Sequence, residues 1–260
     1  NNLIEPTSEE QIKDFVLNFL NELDDYSIYN YFADKTRLFK EDFLSFLGGV
    51  NVHFMCDTKT SAYIYYQNCA VKITEDAVTT IDYIDLPGFV WKDHCCPRNF
   101  KVIEETKCDF QGFMLNICGK DIGRFDSLKS TVGYLLHGYK NLGYSPAVIL
   151  NDELISDHPE GGTGKGLFVN GISQLKKVVT IDGKAFTFER SFAYQLVSAD
   201  TQIICFDDIR KGFSFERLFS IITEGITVEK KNKDAIKIPF DKSPKVVLTT
   251  NYAVKGKGSS

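Results

Sequence analysis

No apolar run in these 260 residues is long enough to cross a bilayer, which excludes a membrane-spanning helix. No signal peptide precedes the first helical pattern and no initiator Met is present, so the chain is expected to be an excised piece of a longer polypeptide. Its seven cysteines form no CxxC pair, are odd in number and are irregularly spaced, which points to a reducing compartment inside a cell. His94, Cys95, Cys96 and Cys108 could in principle hold a metal. Without paired spacing they read better as buried or incidental thiols. Positive charge is not in excess either: a net charge of −5 argues against wholesale coating of nucleic acid and leaves room for a local basic element. What remains is the composition of a soluble globular chain, 43% hydrophobic, long enough for two domains or one large one.

Ser8 and Gln11 have capping-box spacing ahead of Ile12, Phe15, Val16, Phe19, Leu20 and Leu23, so an amphipathic helix is expected there. Residues 28–47 read as two shorter helical pieces ending at Gly48-Gly49. The period then falls to two, with short strands expected at 52–55, 62–66, 70–73 and 78–84. Helical patterns return at 109–117 and 125–139. Together these give an α+β accessory domain over 1–140, with a small β section at 50–90 and no catalytic spacing. From Pro146 onward apolar runs at 147–150, 178–181, 203–206 and 246–249 alternate with helical segments. That alternation predicts an open α/β core with mostly parallel strands over 141–260, binding its ligand outside the carboxyl ends of the strands.

Chemistry collects at those ends. His158-Pro-Glu-Gly-Gly-Thr-Gly-Lys-Gly-Leu-Phe168 opens a helix, and such a glycine loop offers backbone N–H groups, a helix N-terminus and a lysine to a phosphate. Glu160, Gly161, Gly162, Thr163, Gly164, Lys165, Gly166 and Leu167 are the candidate phosphate cradle. In the GxxxxGK[ST] pattern, Pro159 replaces the first glycine and Gly166 the hydroxyl residue. The strand at 203–206 runs into Asp207-Asp208, where one carboxylate can hold Mg²⁺ through its water shell and the other can orient or deprotonate the attacking water. An Asp-Asp turn after a strand has the same sequence. The strand at 246–249 reaches Asn251, which can sense a γ-phosphate by neutral hydrogen bonds or simply turn the chain. Between them, residues 226–239 read as a hairpin with Lys230, Lys231 and Lys233 near its tip. These lysines can track phosphates or merely blunt an exposed edge.

Phosphate loop, strand with Asp-Asp, lysine hairpin and strand ending in Thr249-Thr250-Asn251, in that order, resemble a superfamily 3 helicase core, most of all the helicase part of viral, phage and plasmid primase-helicases. The resemblance covers 147–251, with Leu128–Lys140 similar to the helical region that precedes such cores. It implies an AAA+-like P-loop NTPase fold and a ring, usually a hexamer, with ATP between subunits. By resemblance Lys165 binds the β- and γ-phosphates, Asp207 the Mg²⁺ and Asp208 the water; Asn251 is the sensor. Lys230, Lys231 and Lys233 line a channel for single-stranded DNA. A fused or partner primase and a host-cell cytoplasmic setting are implied as well.

Two departures bear on this expectation. Gly166 removes the hydroxyl that ordinarily ligates Mg²⁺, leaving phosphates, waters and Asp207, or Thr163 in a remodelled loop. Ser260 falls before the position where the family's arginine finger and last core strand are expected. The leading expectation is an ATP-driven DNA helicase core. Its alternative is a replication-initiation or assembly module that binds nucleotide with little turnover. A small-molecule kinase of the P-loop class would leave the Asp-Asp strand, the Thr-Thr-Asn strand and the basic hairpin without a role.

Overall fold

The structure, a computed structural model, describes residues 2–23, 26–103, 108–153, 161–231 and 234–254. The first part of the chain carries β1 (Leu3–Ile4), α1 (Glu9–Glu22), α2 (Tyr26–Asp34) and α3 (Glu41–Leu44). Then come β2 (Ala62–Tyr66), β3 (Ala70–Ile73), β4 (Val78–Ile81), β5 (Val90–Trp91) and β6 (Cys95–Cys96). Two helices follow, α4 (Asp109–Ile117) and α5 (Ile122–Leu136). The last part carries β7 (Val148–Asn151), α6 (Lys165–Ser173), β8 (Val178–Asp182), β9 (Ile203–Asp207), α7 (Phe219–Thr223), β10 (Gly225–Val228), β11 (Ile236–Pro239) and β12 (Lys245–Thr250). No helix among the described residues is long and apolar enough to cross a membrane.

The chain divides into two compact units, and the boundary does not fall at residue 140. One unit holds the residues up to Met55 with Leu86–Lys92; the other holds Cys56–Asp85 and everything from Asp93. In the first, α1 starts on a formed capping box, Gln11 N–H donating to Ser8 Oγ and Ser8 N–H to Gln11 Oε1. Leu20 is buried, while Phe15 and Phe19 on the same helix are exposed. The expected strand at 52–55 is reduced to a single bridge from Phe54 to Phe89. Its neighbours β1 and β5 are only two residues each, too short to extend a ladder.

The second unit contains two four-stranded sheets, in the orders β4-β3-β2-β6 and β7-β12-β9-β8. The small β section thus clusters with the α/β part, as do α4 and α5, because these helices are packed on the parallel sheet. All pairings in the second sheet are parallel. Its central strands alternate between two cores. Ile204 and Phe206 of β9, with Val246 and Leu248 of β12, enter one core with α7 and the β10–β11 hairpin. Ile203, Cys205 and Val247 enter the other, against Met114, Phe125, Leu135, Phe168 and Ile172 of α4, α5 and α6. Burial on both faces explains why these strands read as unbroken apolar runs rather than as alternation. The result is an α/β arrangement in which the carboxyl ends of the parallel strands share one rim.

Candidate nucleotide site

The rim is built from the strand ends upward. Gly164 is the N-cap of α6, with φ +94°; Gly161 and Gly162 are also left-handed, at +73° and +76°. A side chain at Gly164 would be strained on backbone grounds and would press on Phe113 of α4 at 3.0 Å. The loop therefore hands Lys165 to the rim as the first residue of α6. Lys165 Nζ donates to Asp152 Oδ1 at 2.5 Å, to Asn251 Oδ1 at 2.6 Å and to Thr163 Oγ1 at 3.0 Å, which accounts for its three protons.

Asp207 and Asp208 stand at the end of β9. Thr249 of β12 donates its hydroxyl to Asp207 Oδ1 at 2.6 Å and accepts the Asp208 N–H at 2.7 Å. Ile209 N–H reaches the Thr249 carbonyl at 2.9 Å. These bonds hold Asp208 in the left-handed region, φ +54°, which Asp tolerates better than most residues. Asn251 Nδ2 donates to Asp208 Oδ1 at 3.3 Å, and Lys184 pairs with the other oxygen of that carboxylate. Gly183 makes room for this: its N–H donates to the Asp207 carbonyl at 2.6 Å, and a Cβ there would sit 2.6 Å from the same oxygen. A single network thus runs Lys184, Asp208, Asn251, Lys165, Asp152 across the tips of β8, β9, β12 and β7.

Burial alone would raise the Asp152 pKa, but the hydrogen bonds from Lys165 and Thr163 outweigh it and hold the carboxyl below its ordinary range. Lys184 is raised by its hydrogen bond to Asp208. Asp152 and Lys184 are the members that strand-end motifs did not single out, and Thr249 was read only as part of the Thr-Thr-Asn strand end. Asp152 had a sequence signal: it lies within two residues of a strand end on the rim where Asp207 and Asn251 were sought. Lys184 had none. Beside Lys165 opens a cavity of about 630 Å³, lined by Thr163, Asp152, Phe168, Leu128, Ile149 and Leu150 among others. Arg124 and Glu153, also part of its lining, pair at 2.8 Å. A second hollow of about 720 Å³, at Val78–Thr80 and Phe100–Ile103, lies away from these groups and brings only Lys101 as an ionisable side chain.

The remaining candidates fall as follows. Gly166 and Leu167 are in the first turn of α6, both exposed, and a Cβ at Gly166 meets nothing within 4 Å. The hairpin is present, β10 and β11 pairing antiparallel with Ile226, Val228 and Ile238 buried. Lys230 and Lys231 follow β10, Lys231 exposed, and neither enters the rim network described above. Glu160 and Lys233, like Pro159, lie outside the described residues. His94 is hydrogen-bonded through Nε2 to the Asp200 carbonyl at 2.7 Å, Cys95 contacts the Tyr83 hydroxyl, and Cys96 donates to the Gln174 carbonyl. No group of three metal-ligating side chains occurs among the described residues.

A family of unknown function (DUF5906) matches residues 158–259. No curated protein matches the chain. Among solved structures the chain is similar to the A-form apo structure of the NrS-1 C terminal region, at 12% identity and a TM-score of 0.42. A second A-form apo structure of that region gives 13% identity and 0.43. Each likeness covers 74% of this chain and 54% of the other, so the chain spans about half the length of these structures.

Proposed function

We propose that this chain is the core of a P-loop ATPase with an AAA+-like fold that hydrolyses ATP with Mg²⁺ and couples turnover to movement along single-stranded DNA, as a superfamily 3-like helicase. One observation carries the reading. Lys165 at the start of α6, Asn251 past β12 and Asp208 past β9 form one hydrogen-bonded chain at the carboxyl ends of adjacent parallel strands, where ligands of open α/β sheets bind. In this reading Lys165, aided by the amino end of α6, neutralises the β- and γ-phosphates. Asp208 aligns the attacking water, accepting its proton, while Asn251 holds the γ-phosphate side of that water by neutral bonds. Thr249 keeps the Asp207 carboxylate in one orientation. Leu128, Ile149, Leu150 and Phe168 give the cavity apolar walls of the kind that suit a nucleobase.

The oxygen donors of the rim suit Mg²⁺, a hard cation that usually keeps several waters and leans on substrate phosphates. Asp207 would hold it, and its chemistry is to offset the charge that builds on the phosphoryl oxygens. The hairpin lysines Lys230, Lys231 and Lys233 would bind the DNA backbone in a ring of subunits closed around the strand.

The test is an ATPase assay with and without single-stranded DNA. Lys165→Ala and Asp207→Asn should each lower DNA-stimulated turnover by ~10²-fold or more. Turnover unchanged in both variants would overturn the assignment. The absent hydroxyl at Gly166 favours the second reading, a nucleotide-binding assembly module. Tight ATP binding without DNA-stimulated turnover would select it.

A further inference from the structure

Lys165 has no spare proton to offer. Its three donors are taken by Asp152, Asn251 and Thr163, and Thr163 donates its own hydroxyl to the same Asp152 oxygen. The Asp152 side chain is 10% exposed and that of Lys165 15%, so their charges are poorly screened by water. The Asp152 carboxylate thus occupies the place beside the ammonium that a phosphate oxygen would take. Among the described residues of the rim, the carboxylates of Asp152, Asp182, Asp207 and Asp208 outnumber the ammonium groups of Lys165 and Lys184, while Glu153 is paired with Arg124. Such a site carries a net negative charge and repels a bare polyphosphate.

From this charge balance we infer that Asp152 makes the site select a metal-bound phosphoanhydride over the free anion. The inference rests on the P-loop reading above and deepens it by naming the ligand's charge state. A free nucleotide must draw Lys165 away from Asp152 and leave that largely covered carboxylate with the Thr163 hydroxyl alone beside further negative charge. A nucleotide that arrives with a divalent cation brings the compensating charge with it. Asp152 is a selectivity residue acting on Lys165; it takes no part in the phosphoryl transfer. A loop with the usual hydroxyl after its lysine would gain cation binding from that hydroxyl, whereas here Gly166 supplies nothing and the demand for the cation comes from Asp152.

The experiment measures affinities of this chain for ATP with Mg²⁺, ATP with a chelator, and inorganic pyrophosphate with a chelator. Asp152→Asn keeps the shape and removes the charge. It should tighten both metal-free ligands by ~10- to 100-fold, the effect of one unit charge at close range in a partly buried site, and leave Mg²⁺–ATP within a few-fold. Asp152→Ala should move the same way, and Asp152→Glu should keep the wild-type preference. Thermal melts of the three variants show which are folded. If Asp152→Asn leaves metal-free binding unchanged, or weakens Mg²⁺–ATP as a lost metal ligand would, the inference falls and the P-loop reading stands. If no phosphate ligand binds the wild type, or binding survives Lys165→Ala, the P-loop reading itself is at fault.

Discussion

The parallel sheet treats lysine in opposite ways at its two ends. At the carboxyl end Lys165 faces Asp152 and Asn251, and carboxylates outnumber ammonium groups. At the amino end Lys140, Lys176 and Lys245 are all buried, and the largely covered carboxylate of Asp57 acts on Lys176 and Lys245. Asp57 is itself committed to the backbone N–H groups of Tyr63 and Gly138, at 2.9 and 2.5 Å, and stands 4.0 Å from Lys176. Lys245, the first residue of β12, donates to the carbonyls of Tyr134 and His137, each at 2.5 Å, and lies over the Tyr134 ring. It therefore caps the carboxyl end of α5, where a cation also meets the favourable end of the helix dipole. Lys140 donates to Ser243 at 2.7 Å. Burial pushes Lys140 and Lys245 down to about 8 and lowers Lys176, with only partial relief from Asp241 and Asp57. One end holds a charge ready for exchange; the other uses charge as structural mortar at a cost.

Exchanging the two lysines for alanine separates these roles most sharply. Lys165→Ala should abolish nucleotide binding and cost about 1 kcal/mol in stability, since Asp152 keeps Thr163 as a donor. Lys245→Ala should cost about 2–4 kcal/mol by leaving two helix-end carbonyls unpaired, and retain nucleotide affinity. Denaturant unfolding and nucleotide titration of both variants check this; similar stability losses in the two would erase the contrast.

Next in size is a pH effect that belongs to the amino end. Lys140 and Lys245 keep protons to about pH 8 when folded and to about 10.5 when unfolded. The penalty of burying their charge is complete below pH 8, and stability should rise with pH from there as the folded state sheds protons first. Allowing for solvent screening of these partly covered groups, the rise is of order 1 kcal/mol between pH 8 and 9. Above 9 buried thiols act the other way, as Cys205, pushed up to about 12, stays protonated only in the folded state. Urea melts of wild type and Lys140→Met compare the slopes, which should be shallower in the variant. A flat wild-type profile would show that these lysines pay no burial penalty.

Smaller effects sharpen the carboxyl end. Gly166→Ser has room for its side chain and should lower the Mg²⁺ concentration needed for ATP binding several-fold. No change in the Mg²⁺ titration would mean that the position does not face the cation. Lys230→Ala with Lys231→Ala should weaken single-stranded DNA binding modestly and reduce its logarithmic salt slope by about 1–2, without touching ATP affinity. An unchanged slope would leave those lysines as edge protection.

Local pattern carried a large part of this structure. The capping box at Ser8 and Gln11, the apolar runs of β7, β8, β9 and β12, the glycine loop ahead of α6 and the hairpin at 225–239 depend on neighbours within a few residues, and all were readable. The strand expected at 52–55 failed because pairing partners are not local, and the section at 62–81 joined the α/β unit for the same reason. Packing alone placed β12 between β7 and β9, which brings Asn251 to Lys165 across 86 residues and Thr249 to Asp207 across 42. It also chose Asp152 and Lys184 as the counter-charges and set Lys245 against the end of α5. Periodicity records which residues a backbone can bury; which charge meets which is decided only when distant strands share a sheet.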